Sequence, residues 1–184
     1  WDLHGEPPDV LEPAYTIAAI PGNTPREPRG PWALPGRYTV RLIAGPSSIT
    51  QPLQIEMDPR LHVPIEDLRK QHDLALRLAD LLGRTTRAVT EIRQARAAAG
   101  RTNPTLDAKL AALETKGRRR GRGADQEPRS LTSLNTELSE LLVHVEEVDA
   151  APTPALVKAA QAASTDAEAL LSEWTKLLAQ TRPR

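Results

Sequence analysis

The chain has 184 residues, enough for one domain or two small ones, and carries 24 basic and 24 acidic residues for a formal net charge of zero. That balance argues against a dedicated nucleic-acid binder, which is usually basic overall. With no cysteine, a disulfide framework and a thiolate metal site are both excluded.

No run of about 18 apolar residues is present to span a membrane. No signal peptide is visible, and the chain begins at Trp1 instead of Met, so it is expected to be a piece of something longer. Aromatic residues are 3 % of the chain with no Phe, which leaves Leu, Val, Ile and Ala to build any core.

Residues 1–63 are rich in Pro and Gly and hold nearly all the strand signal. Trp1-Asp2-Leu3 reads as the end of a strand. Pro7, Pro8 and Pro13 oppose both helix and central strand over residues 4–14. Tyr15 to Ile20 is a short strand candidate, and Pro21 to Pro31 a loop. Pro35-Gly36 makes a turn. In the stretch that follows, Tyr38, Val40 and Leu42 alternate with Arg37, Thr39 and Arg41, the period-2 signature of a half-buried strand. Gly45-Pro46-Ser47-Ser48 is a tight connection. The alternation resumes with Leu53, Ile55 and Met57 inward and Gln54 and Glu56 outward. Pro52 inside this run favours an edge or a bulge. An immunoglobulin-like sandwich needs about seven strands and about 100 residues, whereas about 60 residues are offered here. Either the sheet is small and leans on the helices or its other strands lie upstream of Trp1; the second is favoured, so residues 1–63 are expected to be a partial immunoglobulin-like β unit.

From residue 64 the pattern turns helical. Pro64 suits a first helical turn, and Glu66 and Asp67 complement the helix dipole. Leu68, Ala75, Leu78, Leu82, Val89 and Ile92 mark one stripe of a helix over 64–99. Asn103 and Pro104 open a second helix over 104–116, with Gly117 expected to stop it. Residues 117–128 lack any apolar period and read as a flexible basic loop. Leu131, Leu134, Leu138, Leu141, Leu142, Val145 and Val148 give a helix over 130–149. Thr153-Pro154 opens a last one over 154–180, with Trp174 on its core stripe. Short connections make neighbours antiparallel, so 64–184 is expected to be a bundle of three to four helices. The fold class is thus α+β. At about 50 Å the first helix outruns the third at about 30 Å, and the short second helix together with the loop after it is expected to fill the difference.

Catalytic chemistry is not signalled, and no catalytic or metal-ligating residue is assigned. His4, His62, His72 and His144 have no ligand-spaced partner, and no H-E-x-x-H, nucleophile elbow, P-loop or dinucleotide fingerprint occurs. No cofactor is implied. Two patterns can bind. Lys116, Arg118, Arg119, Arg120 and Arg122 form a local cationic patch for an anionic partner, against which stand the absence of interleaved aromatics and the following Asp125 and Glu127. Trp32 and Trp1, with Tyr38, could form a sugar platform, against which Tyr38 is expected to face the core and Trp32 to cover an edge or the helix junction.

The stretch from Trp1-Asp2-Leu3 through Ala19-Ile20-Pro21-Gly22-Asn23-Thr24-Pro25-Arg26-Glu27-Pro28-Arg29-Gly30-Pro31-Trp32, continuing through Leu34-Pro35-Gly36-Arg37-Tyr38-Thr39-Val40-Arg41-Leu42 to Met57-Asp58-Pro59-Arg60, resembles the C-terminal region of bacterial sortilin-like, neuraminidase-repeat β-propeller proteins. These are often labelled glycosyl hydrolases. Leu131-Thr132-Ser133-Leu134-Asn135 and Ala150-Ala151-Pro152-Thr153 resemble the helical tail of the same family. The resemblance implies an immunoglobulin-like domain after a propeller, then a helical tail, in an exported parent. The family's activity would reside in the propeller. With no aspartate box in this chain, no catalytic residue carries over. The expected role is a non-catalytic accessory module for interaction or assembly, its partner the parent's own upstream propeller, with self-association through the helices as a further expectation. Nucleic acid and membrane are not expected as partners. A carbohydrate-binding module and an anion-binding adaptor are the rival readings.

Overall fold

The computed structural model describes residues 2–15, 26–99, 103–115 and 129–181. Among them the elements run β1 (Ala14–Tyr15), β2 (Arg26–Glu27), β3 (Gly36–Ala44), β4 (Ser47–Ile55), α1 (Ile65–Ala99), α2 (Pro104–Glu114), α3 (Leu131–Glu146) and α4 (Pro154–Thr181). The class is α+β: small antiparallel two-stranded sheets beside four helices.

The helices form because their apolar positions recur at helical spacing, and their ends are chemically marked. The Asn103 side chain accepts from the Leu106 N–H, with Pro104 in the first turn of α2. Ser130 and Ser133 cap one another reciprocally at the start of α3. Thr153 caps α4 by accepting from the Leu156 N–H. Two ends fall earlier than expected. α2 stops at Glu114, where Thr115 turns extended at φ −139° and ψ 99°, before Gly117 is reached. α3 stops at Glu146, not at 149, which leaves Val148 outside the helix and exposed. Glu146, Glu147 and Asp149 place negative charge against the negative end of the α3 dipole. Gln71 of α1 stabilises this end by donating to the Val145 and Val148 carbonyls at 2.7 and 2.8 Å.

α1, α3 and α4 pack into one core around Leu78, Leu82, Val89, Leu134, Leu138 and Leu142, all essentially inaccessible. Ala160, Ala163 and Ala167 bring α4 close. Trp174 closes its far end and donates from Nε1 to Glu91 at 3.2 Å. α1 outruns α3 by 35 residues to 16, and α2 folds back against that surplus length. There Arg93 and Arg96 of α1 hold the buried Glu114 at 2.8 and 2.7 Å, and Arg96 also reaches Asp107.

The strand regions meet the bundle along an irregular segment. Val10 and Leu11 pack on the helical core, and Thr86 of α1 donates to the Asp9 carbonyl. β1 and β2 pair antiparallel, Ala14 opposite Glu27. The strand expected over 15–20 therefore reduces, among the described residues, to Ala14–Tyr15; residues 16–25 lie outside them. Arg26 and Glu27 form β2 inside a stretch read as loop.

β3 and β4 form a hairpin paired from Gly36 opposite Ile55 to Ala44 opposite Ser47. The turn is Gly45-Pro46, with Gly45 at φ 58°, a conformation glycine takes without a Cβ penalty. Pro52 takes the edge and not a bulge, because the register runs through it unbroken, opposite Thr39. The expected half-buried strand face is corrected. Tyr38, Leu53 and Ile55 near its base are half-buried, but Val40 and Leu42 lie in solvent. No second sheet layer lies over that face among the described residues, so the alternation has no core to point into.

Candidate interaction site

Two features come out of this architecture: a junction where the strand region meets α3, and the free hairpin.

At the junction, residues 3–5 run antiparallel to 31–33. The Gly5 N–H donates to the Pro31 carbonyl and the Ala33 N–H to the Leu3 carbonyl, each at 2.8 Å. Gly30 is required by this approach: a Cβ there would sit 2.1 Å from the Gly5 carbonyl oxygen. His4 stacks on Trp32 with ring centroids 3.7 Å apart. The Trp32 backbone N–H donates to Glu146 of α3 at 2.8 Å, which ties the strand region to the helices. Burial pushes the Glu146 carboxyl above its ordinary range, the Trp32 hydrogen bond offsets part of this, and the nearby Asp149 charge adds to the rise. Trp32 borders a shallow cleft of about 380 Å³ with Glu27, Arg29, Val143 and Glu147 on its walls.

The hairpin has a different character. Its two faces follow from the register. Tyr38, Val40, Leu42, Ile49, Gln51, Leu53 and Ile55 share one face, with Gln51 opposite Val40, and Arg37, Thr39, Arg41, Thr50, Pro52 and Gln54 share the other. Leu42 pairs directly across from Ile49. Toward the turn this apolar pair is open: Val40 is 47 % exposed, Leu42 65 %, Ile49 61 % and, on the opposite face, Ile43 67 %. Single exposed apolar residues are ordinary, and here four fall within one short ribbon. A two-stranded hairpin alone is marginal in water.

Of the residues singled out in the sequence for binding, the structure describes Trp32 and Tyr38. Trp32 is 41 % exposed and sits at the helix junction, with His4 against its ring. Tyr38 stands at the hairpin base, its hydroxyl donating to the Leu34 carbonyl at 2.7 Å. Trp1 and the cationic group Lys116, Arg118, Arg119, Arg120 and Arg122 lie outside the described residues. Sequence reading missed Glu146 as the anchor of Trp32. Its signal was weak, one acid among several at the end of a helix. Among the described residues no group of His, Asp and Glu is arranged to hold a metal ion, and no helix is long and apolar enough to cross a membrane. Set beside known proteins, the chain matches no family model, no curated protein and no solved structure.

Proposed function

We propose that this chain is a non-catalytic accessory module that serves interaction or assembly within a larger protein, in which the helical bundle is a rigid base and the β3–β4 hairpin is the working surface. The observation that carries the reading is the open apolar face at Val40, Leu42 and Ile49 beside a bundle whose own core is closed. The ionised side chains support it as well. Glu114 is engaged by Arg93 and Arg96, Glu168 by Arg84, and Glu146 by the Trp32 backbone, so each serves a junction between elements. The partner in this reading is the β-rich region of a longer parent, which the resemblance to sortilin-like propeller proteins implies to be an upstream propeller.

Replacing Leu42 and Ile49 with Ser tests this. In the 184-residue chain the double substitution leaves thermal unfolding unchanged, because both side chains already face water. In the longer protein it opens the hairpin to limited proteolysis. Equal protection of parent and variant in the longer protein contradicts the reading. A carbohydrate reading rests on Trp32 at the mouth of its cleft and requires glycan binding that Trp32→Ala removes.

A further inference from the structure

The hairpin has two edges, and they are not equivalent. Antiparallel pairing alternates between residue pairs that exchange both backbone hydrogen bonds and pairs that exchange none. The two-residue turn makes Ala44 and Ser47 the first bonded pair, so the pairs Ile43–Ser48, Arg41–Thr50, Thr39–Pro52 and Arg37–Gln54 are the unbonded ones. In those pairs the backbone N–H and C=O point away from the partner strand. The outer edge of β3 therefore presents the groups of Arg37, Thr39, Arg41 and Ile43, all with an N–H. The outer edge of β4 presents Ser48, Thr50, Pro52 and Gln54, and Pro52 has no N–H to offer, which breaks that edge at its centre.

Charge distinguishes the occupant. Residues 36–55 contain Arg37 and Arg41 and no acidic residue. Both arginines are exposed, share one face, and have no carboxylate partner among the described residues. A second copy pairing on this edge in antiparallel fashion, centred on Thr39, would set Arg37 against its copy's Arg41, and centred on Arg41 would set that arginine against itself. Like charges directly opposite destabilise a strand pair.

Resting on the accessory-module reading, we propose that the outer edge of β3 takes up an extended strand from a protein partner, one that alternates acidic and apolar side chains. Its acidic residues lie opposite Arg37 and Arg41. Its apolar residues extend the Tyr38, Val40 and Leu42 face and cover the open side chains. Main-chain hydrogen bonds then supply affinity, and the alternating side chains supply selectivity, as in other strand-addition complexes.

The test uses the whole 184-residue chain and a synthetic peptide of about nine residues alternating valine and glutamate, a typical strand length. Amide exchange is followed residue by residue. The peptide is expected to slow exchange at Arg37, Thr39, Arg41 and Ile43 by about tenfold or more, and the same peptide with lysine for glutamate to leave them unchanged. Thr39→Pro removes one outward N–H without touching the hairpin's own bonds and is expected to abolish binding, while Thr50→Pro on the β4 edge retains it. Arg37→Glu with Arg41→Glu is expected to exchange the preference for the glutamate peptide for the lysine one, which keeps the test open should Thr39→Pro unfold the hairpin. Binding lost in Thr50→Pro but kept in Thr39→Pro, equal response to both peptides, or protection by neither overturns the proposal. If the longer protein shields the hairpin and Thr39→Pro does not alter that shielding, the edge assignment falls and the accessory-module reading stands. If the longer protein gives no shielding, that reading falls with it.

Discussion

Individual residues carry the joints of this molecule. Gly30 is needed because a neighbouring backbone lies where its Cβ would be, but Gly83 has no such reason. It is buried in the middle of α1, and an added Cβ would meet the end of the flexible Arg87 side chain at 3.5 Å, an ordinary contact. Alanine is favoured over glycine inside a helix by about 0.8–1.0 kcal/mol, so Gly83→Ala is expected to raise the unfolding free energy by about 0.5–1 kcal/mol in a urea titration. Glu146 works in the other direction. Burial holds its carboxyl above the ordinary value of 4.5, so its contribution favours the fold below that value and is lost as the pH rises through the folded one. Glu146→Gln keeps an acceptor for the Trp32 N–H and removes the charge. The variant is therefore expected to gain stability relative to the unaltered chain as pH rises above about 4.5, read from melting temperatures across the acid range. An unchanged difference across that range would place the carboxylate in water.

At the scale of elements, most of the helical part was legible and much of its wiring was not. Apolar residues at helical spacing, Asn103-Pro104 and Thr153-Pro154 gave the helices and their starts, because those signals are local. The ends of α2 and α3 and the groups that fix them depend on residues far apart in the chain. Gln71 of α1 holds carbonyls at the end of α3, a contact no local signal announces. Asn135, a polar residue in a leucine-rich stretch, is buried and donates to Thr85 and Thr86 of α1 at 2.9 and 2.8 Å. The α1–α2 joint is similar. Burial raises the Glu114 carboxyl, but the hydrogen bonds and charges of Arg93 and Arg96 outweigh it, and the net shift is downward. Its stabilisation is present above the ordinary value of 4.5 and is lost as the pH falls through the folded value, opposite in sign to Glu146. Glu114→Gln is expected to cost about 1–3 kcal/mol at neutral pH, with the deficit closing in acid, measured by denaturant unfolding at several pH values. A deficit independent of pH would assign the loss to packing alone.

At the scale of the whole molecule, the division of labour follows from where apolar surface is covered. The bundle buries its leucines against one another, and the irregular segment from His4 to Leu11 is fastened to it through Trp32, Glu146 and Thr86. The hairpin holds Val40, Leu42, Ile43 and Ile49 out toward solvent. In sequence this face looked like an ordinary half-buried strand, because alternation reports which side chains share a face and not whether anything lies over it. The cationic stretch from Lys116 to Arg122 and Trp1 lie outside the described residues and take no part in this account. On the contrast between bundle and hairpin rests the proposal that the hairpin is a docking surface. Deuterium uptake over residues 36–55, compared between the 184-residue chain and the longer protein from which it is expected to come, tests that claim most directly. Fast uptake is expected in the chain alone, slow uptake in the longer protein, and no change across α1, α3 and α4. Equal uptake over 36–55 in both would contradict it.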